Sequence, residues 1–284
     1  LPYKPPFVLG HDLAGVVVAV GAAVRGFKPG DAVYARPRDG HIGTFAERVA
    51  VNQADLALKP ANLSMAEAAS LPLVALTVWQ LLVERVQLKA GQKILIHAGS
   101  GGVGTLAIQL AKHLGATVAT TTSAANADLV RSLGADVVIN YRTQDFSTML
   151  SGYDVVLNSL DAKTLEASLK VLRPGGKLIS ISGPPDPAFA KAQGLNSVLR
   201  LVLRLMSARI RSKAKRAGVD YAFLFMRADG GQLGEIAKLS EAGTLRPIID
   251  RVFPFAELNA AMTYVDSGRA KGKVVVSLRD EAAS

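Results

Sequence analysis

The sequence predicts an α/β protein, with a doubly wound parallel sheet inserted between two β-rich ends. Three observations carry this. From residue 91 apolar strand-length runs alternate with helical patterns, the rhythm of a parallel sheet with crossover helices. The run His97-Ala-Gly-Ser-Gly-Gly-Val-Gly104 lies between the apolar Lys93-Ile-Leu-Ile and the helical pattern 102–114. Residues 1–75 read instead as short strands with turns, and from Ile248 the chain returns to β, with one helix between its last two strands.

In the first segment Ala14–Val20 reads as a strand, Gly26-Phe-Lys-Pro-Gly-Asp31 as a turn and Ala32–Ala35 as a second strand. Phe45–Val51 alternates as a third strand does. Ser64-Met-Ala-Glu67 has the form of a capping box, so a helix starts there, and Leu73–Val86 continues as helix. Strands are then predicted at 93–97, 116–121, 136–139, 153–158 and 177–182, with helices at 102–114, 124–133 and 161–172. Arg173-Pro-Gly-Gly176 reads as the turn between the last helix and strand. Residues 195–216 are predicted as one amphipathic helix. Its polar stripe is Ser197, Arg200, Arg204, Ser207, Arg211 and Lys215, and its apolar side is Leu199, Val202, Leu203, Met206 and Ile210. A strand Tyr221–Met226, a helix Gln232–Ala242 closed by Gly243, a strand Ile248–Phe253, a helix Ala256–Ser267 and a strand Lys273–Leu278 complete the pattern.

Composition narrows the function classes. The 284 residues are nearly half apolar, and none is cysteine. There is no thiolate nucleophile, disulfide or thiolate metal site. No apolar run is long enough to span a bilayer, and the start lacks the apolar core of a secretory signal, so a cytoplasmic location is the expectation. The net charge is +10, and residues 189–216 alone hold eight Lys/Arg and no acid. The basicity therefore belongs to one element, and a nucleic-acid-binding surface is not expected.

The glycine run carries the chemistry. Gly99, Gly101 and Gly104 fit G-x-G-x-x-G: a tight turn, a close backbone approach to a pyrophosphate, and close helix–strand packing. The backbone of Ser100, Gly101, Gly102 and Val103 would meet the phosphates at the helix N-terminus. A site for NAD usually has an acid about 20 residues on, against the ribose 2′-OH. None occurs between Thr105 and Ala127. A carboxylate would repel a 2′-phosphate, so NADP(H) is favoured, with Thr122, Ser123 and Asn126 as donors. Helix capping is the competing role for Ser123 and Asn126. Asn158 and Ser159, then Ser182 and Gly183, end two strands at the carboxyl edge where such sheets bind ligands.

The order of Val8-Leu-Gly-His-Asp-Leu-Ala-Gly-Val-Val17, Gly21, Gly30-Asp-Ala-Val33 and the glycine run resembles the medium-chain dehydrogenase/reductase superfamily. Within it the chain resembles the zinc-independent quinone oxidoreductase and alkenal/enone reductase branch. Asp154-Val-Val-Leu-Asn-Ser-Leu160 is similar to polyketide-synthase enoyl reductases, and Ser267–Val276 to the C-terminus of the branch. The resemblance implies a Rossmann NADP-binding domain at 76–222, inserted in a GroES-like catalytic domain formed by 1–75 and 223–284. It also implies a further piece of that domain upstream of Leu1, with an Asn and sometimes a Tyr of the site. No catalytic residue is assigned. Tyr141 matches a Tyr beside the adenosine phosphate, Thr77 a Thr near the nicotinamide, and Phe223 and Phe225 a strand facing the carboxamide. Asn126 stands where relatives often have Lys. The plain alternatives are a strand-end aromatic, a helical Thr and a core strand.

His11 stands where zinc-dependent relatives carry a ligand, but Asp12 replaces the usual Glu and Cys is absent, so a structural or pocket-lining His and no metal are expected. The implied function is NADPH-dependent reduction of a quinone or α,β-unsaturated carbonyl, in a homodimer paired through a Rossmann sheet edge. The alternative is a non-catalytic nucleotide sensor or scaffold, with 195–216 on a membrane or nucleic acid. The plain reading of 195–216 is a helix that covers the sheet or caps the substrate cleft.

Overall fold

The computed structural model describes residues 5–278, so expectations placed on Leu1 lie outside the described residues. The chain divides into two compact units. One comprises Leu1–Trp79, Gly101–Leu106 and Met226–Ser284, the other Gln80–Ser100 and Ala107–Phe225.

The first unit opens with a three-stranded antiparallel sheet, β1 (Leu13–Val16), β2 (Ala32–Ala35) and β3 (Leu56–Leu58), in that order. Its third strand is not the expected Phe45–Val51, which is irregular. The N–H groups of Gly43 and Phe45 are spent on the carbonyls of Gly10 and Leu9, so this segment folds back over residues 9–10. Leu56–Leu58 takes the edge of β2 instead. β1 is also shorter than expected: past Val16 its pairing with the β2 side continues at Val17, whose N–H bonds to Asp31 O and whose carbonyl accepts from Gly30 N–H. The capping box forms as read: Ser64 Oγ accepts from Glu67 N–H at 3.2 Å and Glu67 Oε2 accepts from Ser64 N–H at 2.8 Å, starting α1 (Met65–Ala69). The helix expected over 73–86 is α2 (Pro72–Trp79), followed by a wider π-helical stretch, Gln80–Val86.

The second unit is built on a six-stranded parallel sheet: β4 (Lys93–Ile96), β5 (Thr117–Thr122), β6 (Val137–Asn140), β7 (Tyr153–Asn158), β8 (Leu172–Ser180) and β9 (Asp220–Phe223). The order is β6-β5-β4-β7-β8-β9, with the reversal of winding beside β4. Ile94, Leu95 and Ile96 are all fully buried, as expected of a parallel strand covered on both faces. The covering helices are α3 (Gly102–His113), which begins among residues of the first unit, α4 (Ala127–Ser132), α5 (Phe146–Met149) and α6 (Ala162–Ala167). Leu165 of α6 joins strand residues Leu95, Val156 and Leu178 in one apolar core. Arg173–Gly176 is not a turn ahead of the strand but lies within β8. Tyr153 pairs with Leu172 and Val155 with Lys177, so the extra residues bulge out, helped by Gly175 at φ +76°.

After β8 the sequence reading needs three corrections. A short helix, α7 (Pro187–Ala192), was not foreseen, although Asp186 caps it from N-cap position with Pro187 following. The single helix expected over 195–216 is two, α8 (Ser197–Met206) and α9 (Ala208–Arg216), broken at Ser207. Ser207 is buried, not on a wet stripe, and its Oγ donates to Leu203 O at 2.8 Å. Leu199, Val202 and Met206, read as the apolar side of the helix, are exposed; of this segment Ile210 and Ala214 pack into the core cluster. The strand expected to reach Met226 stops at Phe223, once Leu224 N–H has bonded to Ser180 O.

The chain then returns to the first unit with α10 (Gly230–Glu241), strand β10 (Ile249–Pro254), α11 (Leu258–Asp266) and β11 (Lys273–Ser277), the two strands pairing in parallel. Gly243 ends α10 in the left-handed region, at φ +74°. A Cβ on Gly230 would sit 2.4 Å from Leu56 O, so α10 starts directly against β3. Buried Tyr34 of β2 donates its hydroxyl to Leu233 O of α10 at 2.6 Å.

Candidate functional site

The glycine loop starts at the carboxyl end of β4. Its base is fixed by His97, which is 1% exposed. Ser168 Oγ donates to Thr164 O at 2.7 Å, so it accepts from His97 Nε2–H at 3.0 Å. Thr121 Oγ1 accepts from Ala98 N–H at 3.2 Å, so it donates to His97 Nδ1 at 3.1 Å. Both ring nitrogens are satisfied in the neutral Nε2–H tautomer. Burial pushes the His97 pKa down to about 4, consistent with that neutral state. The loop then bends through Ala98 at φ +52°, a left-handed alanine in the dinucleotide-type turn. Gly99 N–H bonds to Thr121 O at 3.0 Å, and a Cβ at Gly99 would lie 2.1 Å from Thr120 Oγ1. The first glycine of the fingerprint is thus demanded by packing against β5.

Ser100 is the centre of a small polar cluster. Its Oγ accepts from Thr122 Oγ1 at 3.0 Å and from Asn126 Nδ2 at 3.1 Å. With both incoming bonds in place, the Ser100 hydroxyl hydrogen points away from its two donors. Thr122 and Asn126, expected as donors to a ligand, spend those hydrogens on Ser100. Asn126 Oδ1 is buried without a partner. Neither Ser123 nor Asn126 caps its helix through its side chain, so the capping alternative is not realised. Ser123 is half-buried at the end of β5. Beyond Ser100 the backbone bridges from Gly101 to Gly272, and α3 starts with no acid in its first turn and with leading N–H groups that have no partner inside the helix. Hydroxyl, amide and helix N-terminus without a carboxylate form a donor set that suits phosphate oxygens.

Tyr141 follows β6, its N–H bonded to Thr122 O at 3.2 Å, and its ring is 58% exposed. It is not the partly buried strand-end ring of the plain reading. The guanidinium of Arg142 stands 5.9 Å from that ring's centre. Arg142 was missed in the sequence; the signal was its place directly after Tyr141 and two residues past the strand end. It gives the ends of β5 and β6 an exposed cation next to the aromatic.

At the ends of β7 and β8, Asn158 is fully buried. Its Oδ1 accepts from Ser180 Oγ at 3.1 Å, while its Nδ2 has no partner. Ser159 Oγ lies 3.5 Å from His97 O, and Ser182 Oγ donates to Leu160 O at 2.6 Å. Gly183 N–H donates to Ser180 Oγ at 2.8 Å, and a Cβ on Gly183 would meet Ser180 Oγ, Tyr221 Oη and Leu165 within about 3 Å. Only glycine fits. Phe223 N–H is held by Asp186 Oδ2 at 3.0 Å, and Phe189 packs edge-on against both Phe223 and Phe225.

In the first unit, Thr77 is buried and its Oγ1 donates to Leu73 O at 2.8 Å, the ordinary helical pose. His11 has a buried Nδ1 without a partner; burial, then the Arg36 cation, hold its pKa below the usual histidine value. Asp12, read only as a lost Glu, has a structural task. Its Oδ1 accepts from Leu73 N–H at 2.8 Å at the start of α2, and its Oδ2 pairs with Lys273 Nζ at 3.3 Å. Among the described residues no group of three or more His, Asp or Glu side chains is placed to hold a metal ion.

Residues 2–61 match the alcohol dehydrogenase GroES-like domain, and residues 133–276 the zinc-binding dehydrogenase family. The chain is 35% identical over 289 residues to the mitochondrial NAD(P)H oxidoreductase RTN4IP1 of Danio rerio, covering 97% of this chain and 73% of that protein. It is 36% identical over 281 residues to the chloroplastic NADPH-dependent alkenal/one oxidoreductase of Arabidopsis thaliana, covering 95% of this chain and 64% of that protein. The quinone oxidoreductase of Coxiella burnetii superposes with a TM-score of 0.83 at 30% identity, over 96% of this chain and 80% of its own. With the glycine fingerprint, the six-stranded parallel sheet and matches along nearly the whole sequence, the chain belongs to the medium-chain dehydrogenase/reductase superfamily, in its quinone oxidoreductase and alkenal/enone reductase branch.

Proposed function

We propose that the chain is an NADP(H)-dependent oxidoreductase that reduces a quinone or an α,β-unsaturated carbonyl compound without a metal. The observation that carries this is the acid-free donor cluster around Ser100 at the head of α3. The relatives' names, an NADPH-dependent alkenal/one oxidoreductase and a quinone oxidoreductase, support the reaction class.

When bound, the nicotinamide supplies the hydride chemistry. The chain's own residues bind and orient. The N–H groups of Gly101, Gly102, Val103 and Gly104 and the hydroxyl of Ser100 take the pyrophosphate. Thr122 and Asn126 fix that hydroxyl. Gly99 seats the turn against β5. Ser123, Tyr141 and Arg142 take the 2′-phosphate, where Arg142 supplies the charge that Asn126 does not. Ser159, Ser182 and Gly183 border the nicotinamide half, with Asn158 holding Ser180 beneath them. The backbone at Phe223 and Phe225, and Thr77, complete that half. Residues 76–222 act as the nucleotide-binding domain and 1–75 with 223–284 as the GroES-like domain. A homodimer is the proposed working state, supported by β9, a terminal strand of the sheet that is followed by the exposed Phe225; the cytoplasm is the proposed compartment.

The test is turnover of NADPH and NADH with a panel of quinones and enones, alongside dissociation constants for both cofactors. Tighter binding of NADPH, by about 1–2 kcal/mol, with oxidation by at least one conjugated acceptor, is expected. Equal affinities and no oxidation across the panel would overturn the proposal. Light scattering and cell fractionation test the dimer and the compartment.

A further inference from the structure

α8 contributes no buried residue to the protein, yet seven of its ten residues are apolar. Val198 is 71% exposed, Leu205 66%, Met206 57% and Leu201 55%. Val198, Leu201, Val202 and Leu205 stand at i, i+3, i+4 and i+7, so they form one continuous face. Arg200 and Arg204, one turn apart, occupy the opposite arc. Placing this much aliphatic surface in water is costly. The next helix explains why α8 stays out. Ile210 and Ala214 anchor α9 in the sheet core, while α8, across the interruption at Ser207, has no residue in that cluster.

The charge says what covers it. From Pro187 to Val219 the chain has eight cations and no acid. Arg200, Arg204, Arg211, Lys215 and Arg216 are all exposed. Met206 carries the apolar face to a cleft of 420 Å³ whose lining includes Lys163, Arg209 and Leu165. Glu166, also on that lining, is neutralised by Arg209 and Lys213. A second copy of this chain would bring the same cations against these. A nucleic acid would meet the aliphatic side chains rather than the charges. An apolar arc flanked by cations, on a short helix with no buried residue, suits the boundary between lipid headgroups and acyl chains.

We propose that α8 is an interfacial helix that seats this protein on an anionic bilayer surface, with Val198, Leu201, Val202 and Leu205 inserted and the arginines at headgroup level. This is independent of the redox reading above.

The experiment is flotation of the full chain with vesicles of phosphatidylcholine, with and without phosphatidylserine, at low and physiological salt. Binding to the anionic vesicles alone, weakened by salt, is expected. Arg200→Gln with Arg204→Gln lowers the partition coefficient about 30-fold, from two surface cations. Leu201→Asp with Leu205→Asp abolishes flotation without lowering the melting temperature, since both positions are exposed. A polarity-sensitive dye on Met206→Cys shifts to the blue only with anionic vesicles. The proposal is overturned if the wild-type chain fails to float, or if either double variant floats as well as wild type. It is also overturned if the Leu pair instead holds a vesicle-free dimer by light scattering, or if the segment binds RNA in preference to vesicles.

Discussion

Single side chains decide how the nucleotide loop is held. His97 is neutral at about pH 4 and above in the folded chain, but an unfolded histidine titrates near 6.5. Between those values the unfolded chain binds more protons. The stabilisation is therefore complete above about pH 6.5 and is lost as pH falls toward 4, by about 3 kcal/mol. Denaturant titrations of wild type and His97→Gln across that window measure it; a slope unchanged by the substitution would show that His97 is not the group responsible. Gly99 is bound by sterics. Gly99→Ala puts a methyl 2.1 Å from Thr120 Oγ1, so a loss of about 1–3 kcal/mol is expected in thermal melts. In the proposed 2′-phosphate site Arg142 would act through its charge. Arg142→Gln should weaken NADPH about 10-fold and leave NADH unchanged, because only NADPH carries the 2′-phosphate. Isothermal titration with both cofactors checks this, and an equal loss for both would remove Arg142 from the phosphate site.

At the scale of elements, legibility followed the length of the pattern. β4 and β7 were readable as unbroken apolar runs and α3 as a helical repeat, β5 followed from the strand–helix alternation around it, and the glycines between β4 and α3 have a mechanical reason. β3 has three residues, too few to show a period, and the longer alternation at 45–51 outweighed it although its first N–H, of Phe45, bonds back to Leu9 O. The break between α8 and α9 was hidden because Ser207 fits a helical stripe equally well as a wet residue or as a buried one bonded to Leu203 O. In the candidate site the sequence located Ser100 and the strand ends, but could not show that Thr122 and Asn126 serve Ser100. The same limit hid Asp12, whose partner lies 61 residues away in the chain at the start of α2. Asp12→Ala removes a carboxylate from that helix start and breaks the pair with Lys273. A loss of about 1–2 kcal/mol is expected, with NADPH affinity retained. Urea denaturation alongside cofactor titration separates the two; a collapse of cofactor binding with stability intact would give Asp12 another role.

For the whole molecule, the absence of cysteine bears on the reaction class through the thiolates that many catalytic zinc sites of dehydrogenases use. Oxidising a saturated alcohol requires loss of a proton as hydride leaves, and zinc makes that feasible by acidifying the bound hydroxyl. This chain offers no thiolate, and a lone His11 with Asp12 committed to α2 and Lys273 makes a poor substitute. A conjugated acceptor has a different need. Its β-carbon or ring is already electrophilic, and incoming charge delocalises onto an oxygen, so oriented N–H donors suffice. The enzyme should therefore consume NADPH with quinones or enones, ignore saturated alcohols with NADP⁺, and keep its rate in the presence of a strong chelator. Gly101→Val should abolish this turnover, because a side chain there obstructs the backbone's approach to the pyrophosphate. Steady-state assays on wild type and variant, with metal content measured on the same samples, test the set. Alcohol oxidation that a chelator stops, with one zinc per chain, would place the protein with the metal-dependent dehydrogenases instead.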